Sequence, residues 1–551
     1  MKHNISRLIW ASGTGVGGFC IVVLSSLYAA RRSSGTSELT PPTTVPALIS
    51  PAPQSLPKTI ARTPLTLKTQ QGQIEGVAEG DAIAFKGIPY AAAPLGALRW
   101  RAPQPAQSWD GVRKATAYGR ACTQPSVSVS LGSGRVGSQS EDCLYLNVWA
   151  PRNPTSTKQP VMVWIHGGAF VIGASHLPLW NGGPLAQKGA VVVNLNYRLG
   201  QLGFFTHPAL EQESPGGAVN FGLLDQIAAL QWVKENIAAF GGDPNNVTIF
   251  GESAGGQSVL ALMASPLAQG LFQKGIAQST YGSPELTRSN AVAMGSRIAS
   301  AVGLNGANAT LAELRTVPAK KFGQLKDTSL SNSPVPISGD PVLPQPILST
   351  FEKGEQARVP LIIGNTSNEA SIALDFGIRP AALVQQLGAL RGAVRILYPG
   401  VNDDTALGLQ LVRDAVFTAP ARRIATLHAS VAPTWRYYFS YVPVGLRSRW
   451  VNGVPHGGET SFVMNTVDRD PAIANTLTNA DRIVARQVSN YWFEFARSGK
   501  PTSANTPPWP NHSPTSDKTL EFGNTFTVRS NFMKARLDTL TALSARIFAP
   551  R

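Results

Sequence analysis

Asn246-Val247-Thr248-Ile249-Phe250-Gly251-Glu252-Ser253-Ala254-Gly255 is the stretch on which the reading of this chain turns. Its first half is a short run of β-branched and apolar residues, the composition of a buried strand. Its second half is G-x-S-x-G, and the residues from Gln257 to Met263 predict a helix. Strand, G-x-S-x-G and helix in that order form a nucleophile elbow. In so tight a turn Gly251 and Gly255 stand where a Cβ would clash, and Ser253 projects its Oγ above the sheet edge. The helix that starts beside it aims backbone N–H groups and a positive dipole end at the same point. A developing oxyanion can be held there while Ser253 attacks. The competing reading is a glycine-rich turn that happens to contain serine, and the flanking strand and helix argue against it.

Working outward, Asn220 to Ala239 predicts a long amphipathic helix through Leu223, Leu224, Ile227, Leu230 and Ile237, ended by Gly241-Gly242. Ala190 to Asn194 reads as a buried strand leading into Asn196-Tyr197-Arg198-Leu199-Gly200. Val161 to Ile165 is an uninterrupted apolar run, which suits a strand covered on both faces. It ends in His166-Gly167-Gly168-Ala169-Phe170. Gly167 and Gly168 have no side chains to block a ligand, so their N–H groups can meet a substrate oxygen, as in the HGGG-type oxyanion loop. The alternative is a plain turn ending a strand. Alternation of strand and helix predicts an α/β fold with a mostly parallel central sheet flanked by helices.

A nucleophilic serine needs a base, and the base needs an orienting carboxylate. The chain has seven histidines. His3 precedes the folded body, His166 belongs to the glycine loop, and His428 lies in a helical pattern. His176, His207 and His512 lie in loops with no distinguishing context. His456 stands in Gly453-Val454-Pro455-His456-Gly457-Gly458-Glu459, a small-residue loop after a strand-like Tyr437 to Val442. Such a loop can bring an imidazole to the active edge of a sheet; position alone leaves the other histidines in play. For the acid, the apolar run Val359 to Gly364 leads into Asn365-Thr366-Ser367-Asn368-Glu369. Glu369 is the first acid beyond that run, with Asp375 a close competitor and Asp340 a weaker one.

Lys and Arg number 48 against 32 Asp and Glu, a net charge of +16 over 551 residues. No basic run longer than two residues, basic-aromatic repeat or zinc-finger spacing accompanies that charge, so it reads as a solvated basic face and not as a nucleic-acid site. Leu8 to Ala30 is free of charge, with Lys2 and Arg7 before it and Arg31-Arg32 after it. Residues 1–32 therefore read as a signal peptide or an uncleaved membrane anchor. The length and the bulky Tyr28 at the cleavage position favour the anchor. Cys20 falls inside it. The protein is expected to be exported, either anchored at the cell envelope or secreted or periplasmic after cleavage. Residues 33–64, rich in Pro, Ser and Thr, predict an extended spacer. Residues 65–551 form the predicted globular body. In an exported body the pair Cys122 and Cys143 reads as a disulfide, with two reduced buried thiols as the alternative. No His or third Cys keeps zinc-ligand spacing near them.

These motifs together resemble the type-B carboxylesterases, the group that includes cholinesterases and bacterial para-nitrobenzyl esterases. The resemblance covers about Leu65 to Ala549. Gly87-Ile88-Pro89-Tyr90-Ala91 through Leu98-Arg99-Trp100 is similar to that family's N-terminal motif, and Glu141-Asp142-Cys143-Leu144-Tyr145-Leu146-Asn147-Val148 to its second signature. Asn196 to Gly200, Gly222-Leu223-Leu224-Asp225-Gln226, Phe240-Gly241-Gly242-Asp243-Pro244 and Tyr491-Trp492-Phe493-Glu494-Phe495-Ala496 match as well. The resemblance implies an α/β-hydrolase fold and a serine esterase. It implies Ser253 as nucleophile, Glu369 as acid, His456 as base, and Gly167, Gly168 and Ala254 as oxyanion donors. It also implies a Cys122–Cys143 disulfide, an Arg99–Glu141 ion pair, a small-molecule ester substrate, and no metal or organic cofactor. Ala370 stands where the family often has Gly. The 122–143 loop holds no Trp, Tyr or Phe, which argues against choline esters. Ser289 to Thr350 and Asp375 to Pro433 are expected to carry a lid and pocket walls. The rival readings are a catalytically silent recognition protein on the same fold, and a hydrolase of amides, lactones or thioesters.

Overall fold

The computed structural model describes residues 65–125, 134–152, 158–282, 286–325, 327, 330, 334–375, 379–471 and 473–547. The candidate anchor and spacer, residues 1–32 and 33–64, lie outside them. Among the described residues no helix is long and apolar enough to cross a membrane.

A sheet of eleven strands runs through the body. In chain order these are β1 (Val77–Glu79), β2 (Ala82–Pro89), β3 (Tyr145–Pro151), β4 (Gln159–Ile165), β5 (Val191–Leu195), β6 (Gly242–Glu252), β7 (Lys274–Gln278), β8 (Leu361–Thr366), β9 (Thr434–Phe439), β10 (Lys518–Phe522) and β11 (Phe526–Ser530). In space the order is β11-β10-β9-β8-β7-β6-β4-β5-β3-β2-β1. From β10 across to β5 every neighbouring pair is parallel; the pairs at the two flanks are antiparallel.

The apolar runs explain this arrangement. Every residue of β4 and β5 is buried, because both faces of a parallel sheet are covered by helices. Successive side chains alternate between two cores. Val161, Val163 and Ile165 of β4 join Val247 and Ile249 of β6 in one layer with helix α1 (Phe221–Asn236) and helix α2 (Ala254–Ala264). Met162, Trp164 and Phe250 face the other layer, where Tyr491 and Trp492 of helix α4 (Asn479–Ser498) pack. Helix α3 (Ala419–His428) lies between β8 and β9 in the chain, and α5 (Lys534–Ile547) closes the body.

Two expectations are corrected. Helix α1 is not amphipathic: it buries residues around most of its circumference, Asp225 and Gln226 among them. Asp225 tolerates this because Arg198 grips it through Nε at 2.8 Å and Nη2 at 2.7 Å. The predicted strand 437–442 instead spans Thr434–Phe439, because its pairing with β8 runs from Leu361 opposite Thr434 to Thr366 opposite Phe439.

Cys122 and Cys143 are joined in a disulfide with their Cα atoms 4.9 Å apart. Arg99 and Glu141 form the expected ion pair as a two-pronged contact, Nε to Oε1 at 2.7 Å and Nη2 to Oε2 at 2.6 Å.

Candidate active site

The turn after β6 is as tight as its glycines imply. A Cβ on Gly255 would lie 2.0 Å from the Ile165 carbonyl oxygen, and one on Gly251 would lie 2.5 Å from the Gly255 carbonyl carbon. Ser253 sits at φ 57°, ψ −122°, a conformation that costs a non-glycine residue about 1–3 kcal/mol and persists only where its surroundings hold it. They do: the Ser253 N–H donates to Gln278 O at 2.9 Å on β7, and Ser253 O accepts from Gln257 N at 2.8 Å in α2. Ser253 thus stands at the carboxyl end of β6 and at the N-terminus of α2, where α/β sheets bind ligands.

The loop after β4 comes up beside it. A Cβ on Gly167 would meet Glu252 O at 2.7 Å and Ser253 Cβ at 3.2 Å, so only glycine lets this backbone lie against the serine. The loop is contorted, with positive φ at Gly168 (111°), Ala169 (53°), Phe170 (61°) and Gly173 (123°). Ala169 and Phe170 bear the usual left-handed penalty of about 1–2 kcal/mol each. Phe170 is anchored by burial against Phe204, ring centroids 4.9 Å apart, and by its carbonyl accepting from Gly200 N at 2.7 Å. Among the described residues the N–H groups of Gly167, Gly168 and Ala254 have no intramolecular acceptor.

Glu369 and His456 meet beyond the carboxyl ends of β8 and β9. Their loops are zipped together: Asn368 N donates to Val454 O at 2.8 Å, Val454 N to Ser367 Oγ at 2.8 Å, and His456 N to Ser371 Oγ at 2.9 Å. His456 Nδ1 then bonds Glu369 Oε2. The other Glu369 oxygen accepts from Ser279 Oγ and from Thr366 N, each at 2.6 Å. Of the two acidic competitors, Asp340 is engaged elsewhere. Asp340 accepts backbone N–H groups from Val219, Val342 and Leu343, a structural use of its carboxylate. Asp375 ends a short helix, Ser371–Asp375.

The remaining described histidines have other work. His166 is buried, stacked on Tyr197 with centroids 4.5 Å apart, and burial pushes its pKa down to about 4. His207 caps a helix through Ala209 N, and His428 bonds Gln356 and Val359 O. His512 faces Asp517 at 3.7 Å, but that carboxylate is already held by Arg422 and Arg436. His176 rests against Tyr118.

Two acids that the sequence reading passed over share the site. Glu252, the residue before Ser253, places Oε1 3.2 Å from His456 Nε2, out of line for a hydrogen bond. Glu459, three residues past His456, is fully buried and accepts from Tyr437 Oη at 3.2 Å, Ser279 Oγ at 3.3 Å and Gln278 Nε2 at 3.4 Å. Burial raises the Glu252 carboxyl strongly; Glu459 and Glu369 raise it further, and only His456 opposes them. Glu459 is likewise raised by burial and by Glu369. Burial alone would depress the imidazole of His456, but the negative fields of Glu252 and Glu369 and the Glu369 hydrogen bond outweigh it and hold His456 above its ordinary pKa. The only sequence signal for Glu252 and Glu459 was adjacency, one beside the serine and one beside the histidine.

Phe417 covers the far side of the imidazole, ring centroids 5.3 Å apart. It is carried by a π-helix, Arg413–Thr418, a rare form that recurs at functional sites. This falls within the 375–433 segment expected to supply pocket walls.

The chain is similar to known proteins over most of its length. A family model described as "Carboxylesterase family" matches residues 63–390 and 403–540. The para-nitrobenzyl esterase of Bacillus subtilis (strain 168) is 38% identical over 481 residues, 84% of this chain and 96% of that protein. The fumonisin B1 esterase of Sphingopyxis macrogoltabida is 36% identical over 475 residues, 81% of this chain and 84% of that protein. The solved structure of a thermophilic PNB esterase superposes with a TM-score of 0.75 at 35% identity, covering 86% of this chain and 99% of that one. With this sheet order and these matches, the chain belongs to the type-B carboxylesterase family, carboxylic ester hydrolases of the α/β-hydrolase fold.

Proposed function

We propose that Ser253, His456 and Glu369 are the catalytic triad of this ester hydrolase, with Gly167, Gly168 and Ala254 as its oxyanion donors. The observation that carries the reading is the His456 imidazole: Nδ1 is engaged by the buried Glu369, while Nε2 is buried without a hydrogen-bond partner next to the Glu252–Ser253 turn. A base needs that arrangement, one nitrogen fixed and the other free to take a proton. Nε2 receives the Ser253 proton as Oγ attacks the acyl carbon. The oxyanion forms against the three N–H groups that have no internal acceptor. His456 then protonates the leaving alcohol, and water repeats the sequence on the acyl-enzyme. Glu369 keeps the imidazole in the right tautomer and stabilises its cation.

A fluorophosphonate probe tests this. Wild type is expected to be labelled and to hydrolyse para-nitrophenyl acetate, and Ser253→Ala to do neither. Labelling of Ser253→Ala, or retained hydrolysis, would assign the nucleophile elsewhere. The Cys122–Cys143 disulfide supports an oxidising compartment, so the proposal includes export by residues 1–32. Removal of Met1 to Arg32 is expected to leave a soluble, active body, and an insoluble or inactive product would refute that boundary.

A further inference from the structure

The loop from His166 to Gly173 has to be held in a shape its backbone does not favour. Its middle is held at Phe170, and its start by Tyr197, whose Oη donates to His166 O at 2.9 Å. Its end is held from a different part of the chain. The Gln124 carboxamide binds both polar groups of Gly173: Oε1 accepts from Gly173 N at 2.9 Å, and Nε2 donates to Gly173 O at 2.8 Å. Gln124 is itself fixed. Its Nε2 also donates to Cys122 O at 2.9 Å, and its backbone N donates to Gln139 Oε1 at 3.0 Å. It is 7% exposed, and Cys122, two residues before it, is tied to Cys143.

Gly173 in turn leans on the reacting end of the loop. A Cβ there would stand 2.4 Å from His166 Nδ1 and 2.7 Å from Gly167 O. Gly167 is the residue whose backbone lies against Ser253. The contacts therefore run from the disulfide to Gln124, to Gly173, to the Gly167 peptide, to the serine. A carboxamide suits this task, since it is the one neutral side-chain group that offers a donor and an acceptor side by side to a single residue's N–H and C=O.

We propose that Gln124 is a positioning residue for catalysis: by clamping Gly173 it sets where the Gly167 and Gly168 N–H groups point. This rests on the oxyanion role given above to those groups. The Gln124 carboxamide is buried and engaged by Gly173 and Cys122, so its effect is expected to fall on the transition state and to leave ground-state binding alone.

Gln124→Leu removes both bonds to Gly173, and the one to Cys122 O, at nearly the same volume. Its kcat for a para-nitrophenyl ester is expected to fall about 10–100-fold, less than the roughly 10²–10³-fold typical of deleting an oxyanion donor. KM should change little. Affinity for a trifluoromethyl ketone, which forms a tetrahedral adduct on the serine, should fall in parallel with kcat. Gln124→Glu guards against a leucine variant that does not fold. Its carboxyl can donate to Gly173 O only when protonated, so its activity relative to wild type should recover as pH is lowered from 8 towards about 5, where carboxyls near a pKa of about 4.3 begin to gain protons. An unchanged kcat in Gln124→Leu, a rise in KM alone, ketone affinity that does not follow kcat, or a flat Gln124→Glu ratio would each overturn the proposal. Ser253→Ala separates the two readings. If it stays active, the triad assignment fails; if it is dead while Gln124→Leu is normal, only the clamp fails.

Discussion

His456 sits among three buried carboxyl groups, and the charge each carries decides what the imidazole can do. As a base it must be neutral, so kcat/KM is expected to rise with pH as His456 loses its proton. Glu252 as an anion favours imidazolium and pushes that rise to higher pH. Glu252→Gln removes the negative charge, lowers the His456 pKa, and should move the acid limb of the profile to lower pH. A pH–rate series checks this, and a limb that stays put or moves up contradicts the placement of Glu252. Glu369→Gln exchanges the orienting anion for an amide that can present the wrong partner to Nδ1. Its kcat should fall on the order of 10⁴-fold with the fold intact by circular dichroism, as when a triad carboxylate elsewhere is replaced by its amide. Near-normal turnover would move the acid role to Asp375. Of these groups, Ser253 was legible in the sequence because its glycines are a local steric demand. Glu369 and His456 were legible only as candidates, since what joins them is a pair of loops zipped through Asn368, Val454 and Ser371. Glu252 and Glu459 lay in the quoted motifs, yet nothing local says that two acids 207 positions apart face one imidazole.

The element that the sequence hid is the π-helix Arg413–Thr418, continuous with α3. Its wide turn is fixed by polar contacts. Val416 O accepts from Gly282 N at 2.8 Å, and Arg413 Nε binds the fully buried Asp414 at 2.7 Å. Phe417 packs between Tyr281 and the His456 imidazole. Phe417→Ala should therefore lower stability by about 3–5 kcal/mol, the usual cost of emptying a buried aromatic site. Urea unfolding followed by fluorescence measures it, and a loss below about 1 kcal/mol would mean that the turn collapses into the gap. Periodicity could not reveal this element, because a single wide turn is too short to set a period of its own and no residue type marks it. The same limit misled the reading of α1, whose polar residues look solvent-facing until Arg198 is brought to Asp225. The central strands were legible for the opposite reason: burial on both faces writes the apolar runs Val161–Ile165 and Ala190–Val193 into β4 and β5.

At the scale of the molecule, the sheet's far flank is tied down by charge instead of by apolar packing alone. Asp517, just before β10, holds Arg436 of β9 through Nη1 at 2.8 Å and Arg422 of α3 through Nη2 at 2.8 Å. Arg422 reaches on to Asp538 of α5 at 2.6 Å. One carboxylate thus links two strands and a helix, and through Arg422 reaches α5. Burial works to raise the Asp517 pKa, but Arg422, Arg436 and, last, His512 hold it below the ordinary 3.8. Asp517→Asn keeps the shape and suits the positive φ of 40° at this position, but it leaves the Arg436 side chain, only 3% exposed, without its counter-charge. Losing one partner of a buried pair costs about 3–5 kcal/mol, so the urea midpoint should fall by that equivalent near pH 7. Activity per folded molecule should not change, because the network's ion pairs include none of Ser253, Glu369 and His456. The sign with pH is fixed as well. A depressed carboxyl stabilises the fold fully above its unfolded pKa of about 3.9 and loses that contribution as pH falls through its lower folded value. The gap between wild type and Asp517→Asn should therefore stay constant from pH 7 to about pH 5 and close only in stronger acid. A gap that shrinks already between pH 7 and pH 5 would mean that the carboxylate is not held by the two arginines as described.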